Sequence, residues 1–143
     1  MRALKSLLAA LLVAFGLASA QAQSLTLAEV QATGAKPLTA VEVKELVAGA
    51  KTEFTLVNGS FRNWTNGADG TFVASRSAGD VNRRSGRGTW AVNDDSAYCL
   101  TFDWGGAETE SWCRQLWRVE DRYYAFALDA VATTRTGRYR FSR

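Results

Sequence analysis

A chain of 143 residues with 17 Lys plus Arg against 14 Asp plus Glu, two Cys and one Pro has room for one small domain. Hydrophobic residues make up 47% and charged residues 22%, which argues against intrinsic disorder and collagen-like structure. The absence of His excludes Ser-His-Asp and Cys-His nucleophilic chemistry, HExxH zinc sites and histidine pH sensing, so any catalysis would rest on carboxylates, Tyr, Lys or a thiol.

Residues 1–20 read as a secretory signal peptide. Arg2 and Lys5 form its positive start, Leu7 to Leu17 its apolar stretch, and Ala18-Ser19-Ala20 a small-residue cleavage site. Ala20-Gln21-Ala22 is an alternative cut, so cleavage is expected after Ala20 or Ala22. The apolar stretch, about 11 residues, is too short to span a bilayer. No cysteine stands at the cleavage site to accept a lipid. The expected product is periplasmic or secreted, with no membrane insertion after signal cleavage. Loss of Arg2 and Lys5 takes the formal net charge from +3 to about +1, so bulk charge gives no argument for nucleic acid as a partner.

Residues 21–36 are small and polar around a weak strand-like patch, Leu25-Thr26-Leu27, and are expected to form a mobile leader. A single β-rich domain is expected over residues 37–143. Thr39 followed three residues later by Glu42 has the form of a capping box, with Leu38 and Val43 at the staple positions. Val43, Leu46 and Val47 share one helical face and Gly49 is a natural stop, which predicts one short N-terminal helix over Ala40 to Ala48.

Beyond Gly49 the helical period gives way to short runs rich in Thr, Val, Phe, Tyr and Trp separated by Gly, Asn and Asp. Phe54 to Val57 and Ser60 to Thr65 read as a hairpin about a type I′ Asn58-Gly59 turn. Further strands are expected near Thr71–Ser75, Gly88–Asn93, Ala97–Trp104, Ser111–Val119, Arg122–Leu128 and Arg135–Phe141. The fold class is mainly β: an antiparallel barrel or sandwich of about eight strands with one short helix.

Cys99 and Cys113 flank a turn near Gly105-Gly106. Folding symmetrically about Gly106 sets Cys99 opposite Cys113 and Leu100 opposite Trp112. Tyr98, Leu100, Phe102, Trp104, Trp112 and Leu116 then share one apolar face, with the cysteines on the other. A structural disulfide follows for an exported chain. Two thiols without His make a poor metal site, so neither a metal nor a cofactor is expected.

Pro37 to Leu46 with Gly49, then Asp69-Gly70-Thr71, then Gly88-Thr89-Trp90 with Cys99, Cys113 and Trp117 together resemble small exported proteobacterial proteins of domain of unknown function 995 and its relatives. The Gly-x-Trp signature is also similar in kind to lipocalin and avidin-like β-barrels. The resemblance implies a signal peptide, a short helix, a compact β-rich domain and a disulfide, and brings no characterised active site.

Five Trp, four Tyr and seven Phe are the chain's most suggestive resource. An aromatic barrel mouth involving Trp64, Trp90, Trp104 and Tyr124 would hold a small apolar or sugar-like ligand. Arg83, Arg84 and Arg87 border a Gly/Ser-rich stretch, and a rigid loop, Ser77 to Arg87 with its guanidinium forks or Asp103 to Glu110, would instead engage an envelope enzyme, as an inhibitor or interaction domain does. Arg138 and Arg140 alternate with Tyr139 and Phe141 as on a solvated edge strand. The pair Asp94-Asp95 matches no calcium loop and reads as turn-forming, so a non-catalytic binding module is expected rather than an enzyme.

Overall fold

Eight strands, each paired antiparallel with the next in sequence, close into a ring. They are β1 (Lys51–Thr55), β2 (Phe61–Thr65), β3 (Thr71–Ser77), β4 (Arg84–Val92), β5 (Tyr98–Asp103), β6 (Thr109–Val119), β7 (Arg122–Phe126) and β8 (Arg138–Ser142). The computed structural model describes residues 24–56, 58–77 and 83–143. The expected signal peptide and its cleavage sites, the start of the leader, Val57 and the centre of the Ser77–Arg87 loop lie outside the described residues.

Closure is made by β1 and β8, with Thr52 opposite Phe141 and Phe54 opposite Tyr139. The choice between barrel and sandwich is thereby resolved in favour of a barrel, since the first strand satisfies its backbone groups on the last and no sheet edge remains. Alternation along each strand fills the interior with Trp64, Phe72, Tyr98, Leu100, Phe102, Trp104, Leu116 and Tyr139. Rings this large need room. A Cβ at Gly88 would stand 2.3 Å from the Phe72 ring, and one at Gly86 2.6 Å from the Trp104 indole, so the Gly-x-Gly of β4 is what lets β4 lie against them.

The β5–β6 hairpin has the predicted register, Cys99 opposite Cys113 and Leu100 opposite Trp112, and the two cysteines are joined in a disulfide. The first hairpin differs from expectation. Leu56 N–H donates to Ser60 C=O at 2.9 Å, leaving a three-residue connection that ends at Gly59 with φ +81°, in place of a two-residue type I′ turn. A left-handed third residue is the usual ending of such three-residue loops.

The predicted helix is α2 (Ala40–Val47). Its capping box is complete, Thr39 N–H donating to Glu42 Oε2 at 2.7 Å and Glu42 N–H to Thr39 Oγ1 at 3.3 Å. Val43 and Val47 join the barrel core, and Gly49, at φ +72°, follows the helix end.

The mobile leader is not found in the described part of residues 21–36. A second short helix, α1 (Leu27–Ala32), stands there. Thr26 and Glu29 form another capping box, with Thr26 N–H donating to Glu29 Oε2 at 2.7 Å. Val30 is fully buried in a satellite core with Trp117, Tyr124 and Phe126, so α1 covers the outer face of β6 and β7. Leu27 N–H also donates to Thr134 C=O, and Thr136 N–H to Leu25 C=O.

Candidate ligand-binding site

The four aromatic residues expected at one mouth occupy different places. Trp64 and Trp104 are each only 2% exposed inside the barrel. Trp64 Nε1–H donates to Asn66 Oδ1 and Tyr98 Oη, Tyr98 O–H donates to Asn66 Oδ1 at 2.7 Å, and Asn66 Nδ2–H donates to Thr52 Oγ1. This closed network leaves the Trp64 indole no polar edge for a ligand. Trp90 is half-buried and donates Nε1–H to Gly67 C=O at 2.8 Å. Tyr124 lies on the outer face beneath α1, apart from the three tryptophans.

Arg83, Arg84 and Arg87 likewise have different surroundings. Arg84 is part of β4 and donates to Glu108, Arg87 stands opposite Asp103 in the sheet, and Arg83 is exposed just before the strand. The Gly/Ser-rich stretch reads as a loop because glycines weaken a strand in isolation; here Gly86 is paired with β3, and Gly88 with both β3 and β5.

A cleft of about 590 Å³ opens at the seam of β7, β8 and β1. Tyr123, Tyr124, Tyr139 and Phe141 supply its rings; Arg122, Arg138, Arg140 and Asp121 its charges. It forms there because β7 and β8 pair through only two residue pairs, Tyr123 with Tyr139 and Tyr124 with Arg138. Beyond them the Thr136 hydroxyl takes the place of a strand partner, bonding both the N–H and the C=O of Ala125. Tyr123 packs edge-on against Phe141 with centroids 5.4 Å apart. Burial pushes the Tyr139 hydroxyl up to about 12, against the opposing pull of its Trp112 hydrogen bond and of Arg114 and Arg62. It therefore stays a neutral phenol through the ordinary pH range.

Arg138 and Arg140 belong to a strand paired on both sides, not to the expected solvated edge. They alternate along the strand with Tyr139 and Phe141, and all four residues line the cleft. The sequence did carry this signal in Arg138-Tyr139-Arg140-Phe141 and Arg122-Tyr123-Tyr124. It could not be told from an edge strand without knowing that β8 returns to β1. Such a cleft offers flat apolar surface with cationic donors at its rim, which suits a small ligand carrying an acceptor-rich edge.

Among the described residues no group of three or more Cys, Asp or Glu side chains is placed to hold a metal ion. No described helix is long and apolar enough to cross a membrane. No curated protein and no solved structure matches the chain. The model of one family does match, over residues 9–122, a span that includes both helices and β1 to β6; the chain belongs to this family, described as protein of unknown function (DUF995).

Proposed function

We propose that this protein is an exported, non-catalytic binding module whose site is the cleft between β7 and β8. The observation that carries the reading is the cleft itself: its volume lies in the range of small-molecule pockets, about 300–1,000 Å³, and its lining combines Tyr123, Tyr139 and Phe141 with Arg122, Arg138 and Arg140. The ligand is a small molecule that lays an apolar or sugar-like face on the rings and turns acceptors toward the arginines. The disulfide supports export, because such bridges persist in oxidising compartments.

Titration with 8-anilinonaphthalene-1-sulfonate, an aromatic body bearing one anionic group, tests the site. One saturable binding event is expected, weakened about tenfold by Tyr123→Ala or Arg138→Ala and unchanged by Arg87→Ala on β4. Absence of binding, or equal weakening by all three substitutions, contradicts the assignment.

A further inference from the structure

One end of the barrel holds a chain of charges that the cleft does not use. Arg62 Nη2 donates to Glu110 Oε1 at 2.9 Å, and Arg76 Nη1 donates to the same oxygen at 3.1 Å and to Glu108 Oε1 at 2.6 Å. Arg84 Nη1 completes it, donating to Glu108 Oε2 at 2.5 Å. Three guanidinium groups thus share two carboxylates and one positive charge is left over. Arg114 adds a further positive charge inside the barrel: it stands opposite inward-facing Tyr98, donates to Cys113 C=O and has no carboxylate within ion-pair distance among the described residues.

The same end contains two buried donors without acceptors. The Arg62 side chain is only 11% exposed and its Nε–H has no partner among the described residues. Trp104 is 2% exposed and its Nε1–H is likewise unpartnered. By contrast, Trp64, Trp90 and Trp112 each donate to a protein oxygen. The two orphans are linked through their neighbours: Arg62 and Arg76 are cross-strand partners that share Glu110, and the Arg76 guanidinium lies 4.7 Å from the Trp104 ring centroid. Arg62 itself sits 5.9 Å from the Trp112 centroid. Aromatic faces and carboxylates therefore hold the guanidinium planes in place before any ligand arrives.

Both unsatisfied groups are N–H donors, so what completes them is an acceptor; the surplus positive charge selects an anion over a neutral carbonyl. We propose that this end of the barrel binds a small oxyanion, which accepts hydrogen bonds from Arg62 Nε–H and Trp104 Nε1–H and offsets the unpaired charge of the Arg62–Arg76–Arg84 cluster. The site is separate from the β7–β8 cleft and does not depend on the cleft being a ligand site.

The test is a titration of ¹⁵N-labelled protein with sodium acetate and, in parallel, inorganic phosphate at constant ionic strength, following the indole N–H resonances. The Trp104 resonance is expected to shift saturably with at least one of the two anions. Trp117, whose buried Nε1–H is also without a partner among the described residues but lies beneath α1, is the internal control and should stay fixed. Trp104→Phe keeps the ring that stacks on Phe102 and removes the donor, and Arg62→Lys keeps the charge and removes Nε–H. Each should weaken binding about fivefold to tenfold, read for Trp104→Phe from the backbone amides of β2 and β5. Tyr123→Ala, in the cleft, should leave the Trp104 response unchanged. A Trp104 resonance that exchanges with water and ignores both anions, or one that moves in step with Trp117, overturns the proposal; the wild-type titration decides this even if a variant fails to fold.

Discussion

At the scale of single residues, the most constrained group is Asn66. Its amide oxygen accepts from both Trp64 and Tyr98 and its amide nitrogen donates to Thr52, with all four side chains buried. Asn66→Ala strands the Tyr98 hydroxyl donor and takes from Thr52 Oγ1 the hydrogen bond it accepts, while the Trp64 indole keeps Tyr98 Oη, and is expected to cost about 1–3 kcal/mol in urea unfolding. A loss below about 1 kcal/mol would show that water replaces the amide. Titratable side chains set the pH limits of stability. Thr39 and Thr26 hydrogen bonds hold the Glu42 and Glu29 carboxyls below the ordinary value of 4.5, and the Arg76 hydrogen bond does the same for Glu108. Groups depressed on folding contribute stability above their unfolded pKa and lose it as pH falls through the folded one, so the urea midpoint should decline below about pH 4.5. Tyr139 works in the opposite sense. Its hydroxyl is raised on folding, so its contribution is full below about pH 10 and fades as pH rises toward 12. Burial raises the Tyr98 hydroxyl in the same sense, so Tyr139→Phe should lessen the alkaline decline and leave the part due to Tyr98; a wild-type midpoint that stays level between about pH 10 and 12 would contradict this.

At the scale of elements, the structure separates what local pattern determines from what it leaves open. The β5–β6 register was legible because two independent patterns, the apolar alternation and the cysteine pair, agree on one alignment about Gly106. Helix α2 was legible because Thr39 and Glu42 are followed by an apolar stripe. Helix α1 carries the same signal, Thr26-Leu27-Ala28-Glu29, but lacks a long stripe after it. Its only fully buried apolar side chain is Val30, and the surface that covers Val30, Trp117 with Tyr124 and Phe126, lies about ninety residues away along the chain. Val30→Ala should therefore destabilise by about 1–3 kcal/mol and shift Trp emission to the red as Trp117 is uncovered; unchanged emission would mean that α1 does not shield that face. Replacing both cysteines by Ser opens a loop with a sequence separation of 14 and should cost about 3 kcal/mol. Thermal unfolding under oxidising conditions reads this directly, and equal midpoints for variant and wild type would contradict it.

At the scale of the whole molecule, the site depends on closure. Alternation tells which residues of a strand face inward, but it cannot tell that the last strand returns to the first, and the cleft is lined from β1, β7 and β8. This is why the large tryptophans drew attention in the sequence while the rings that line the cleft are those of Tyr123, Tyr124, Tyr139 and Phe141. The tryptophans serve the core, where rings of Trp64, Phe102 and Trp104 stack or meet edge-on and β4 glycines make space for them. Pairing is shortest between β7 and β8, so the barrel is tight around its aromatic core and opens where arginines line the seam. Native mass spectrometry of protein purified without denaturation, set beside its denatured mass and beside Tyr123→Ala, is the most direct test. One added small-molecule mass on the native wild type, absent after denaturation and reduced in the variant, is expected. A native mass equal to the denatured mass, or an adduct that persists unchanged in Tyr123→Ala, would contradict a ligand site in the cleft.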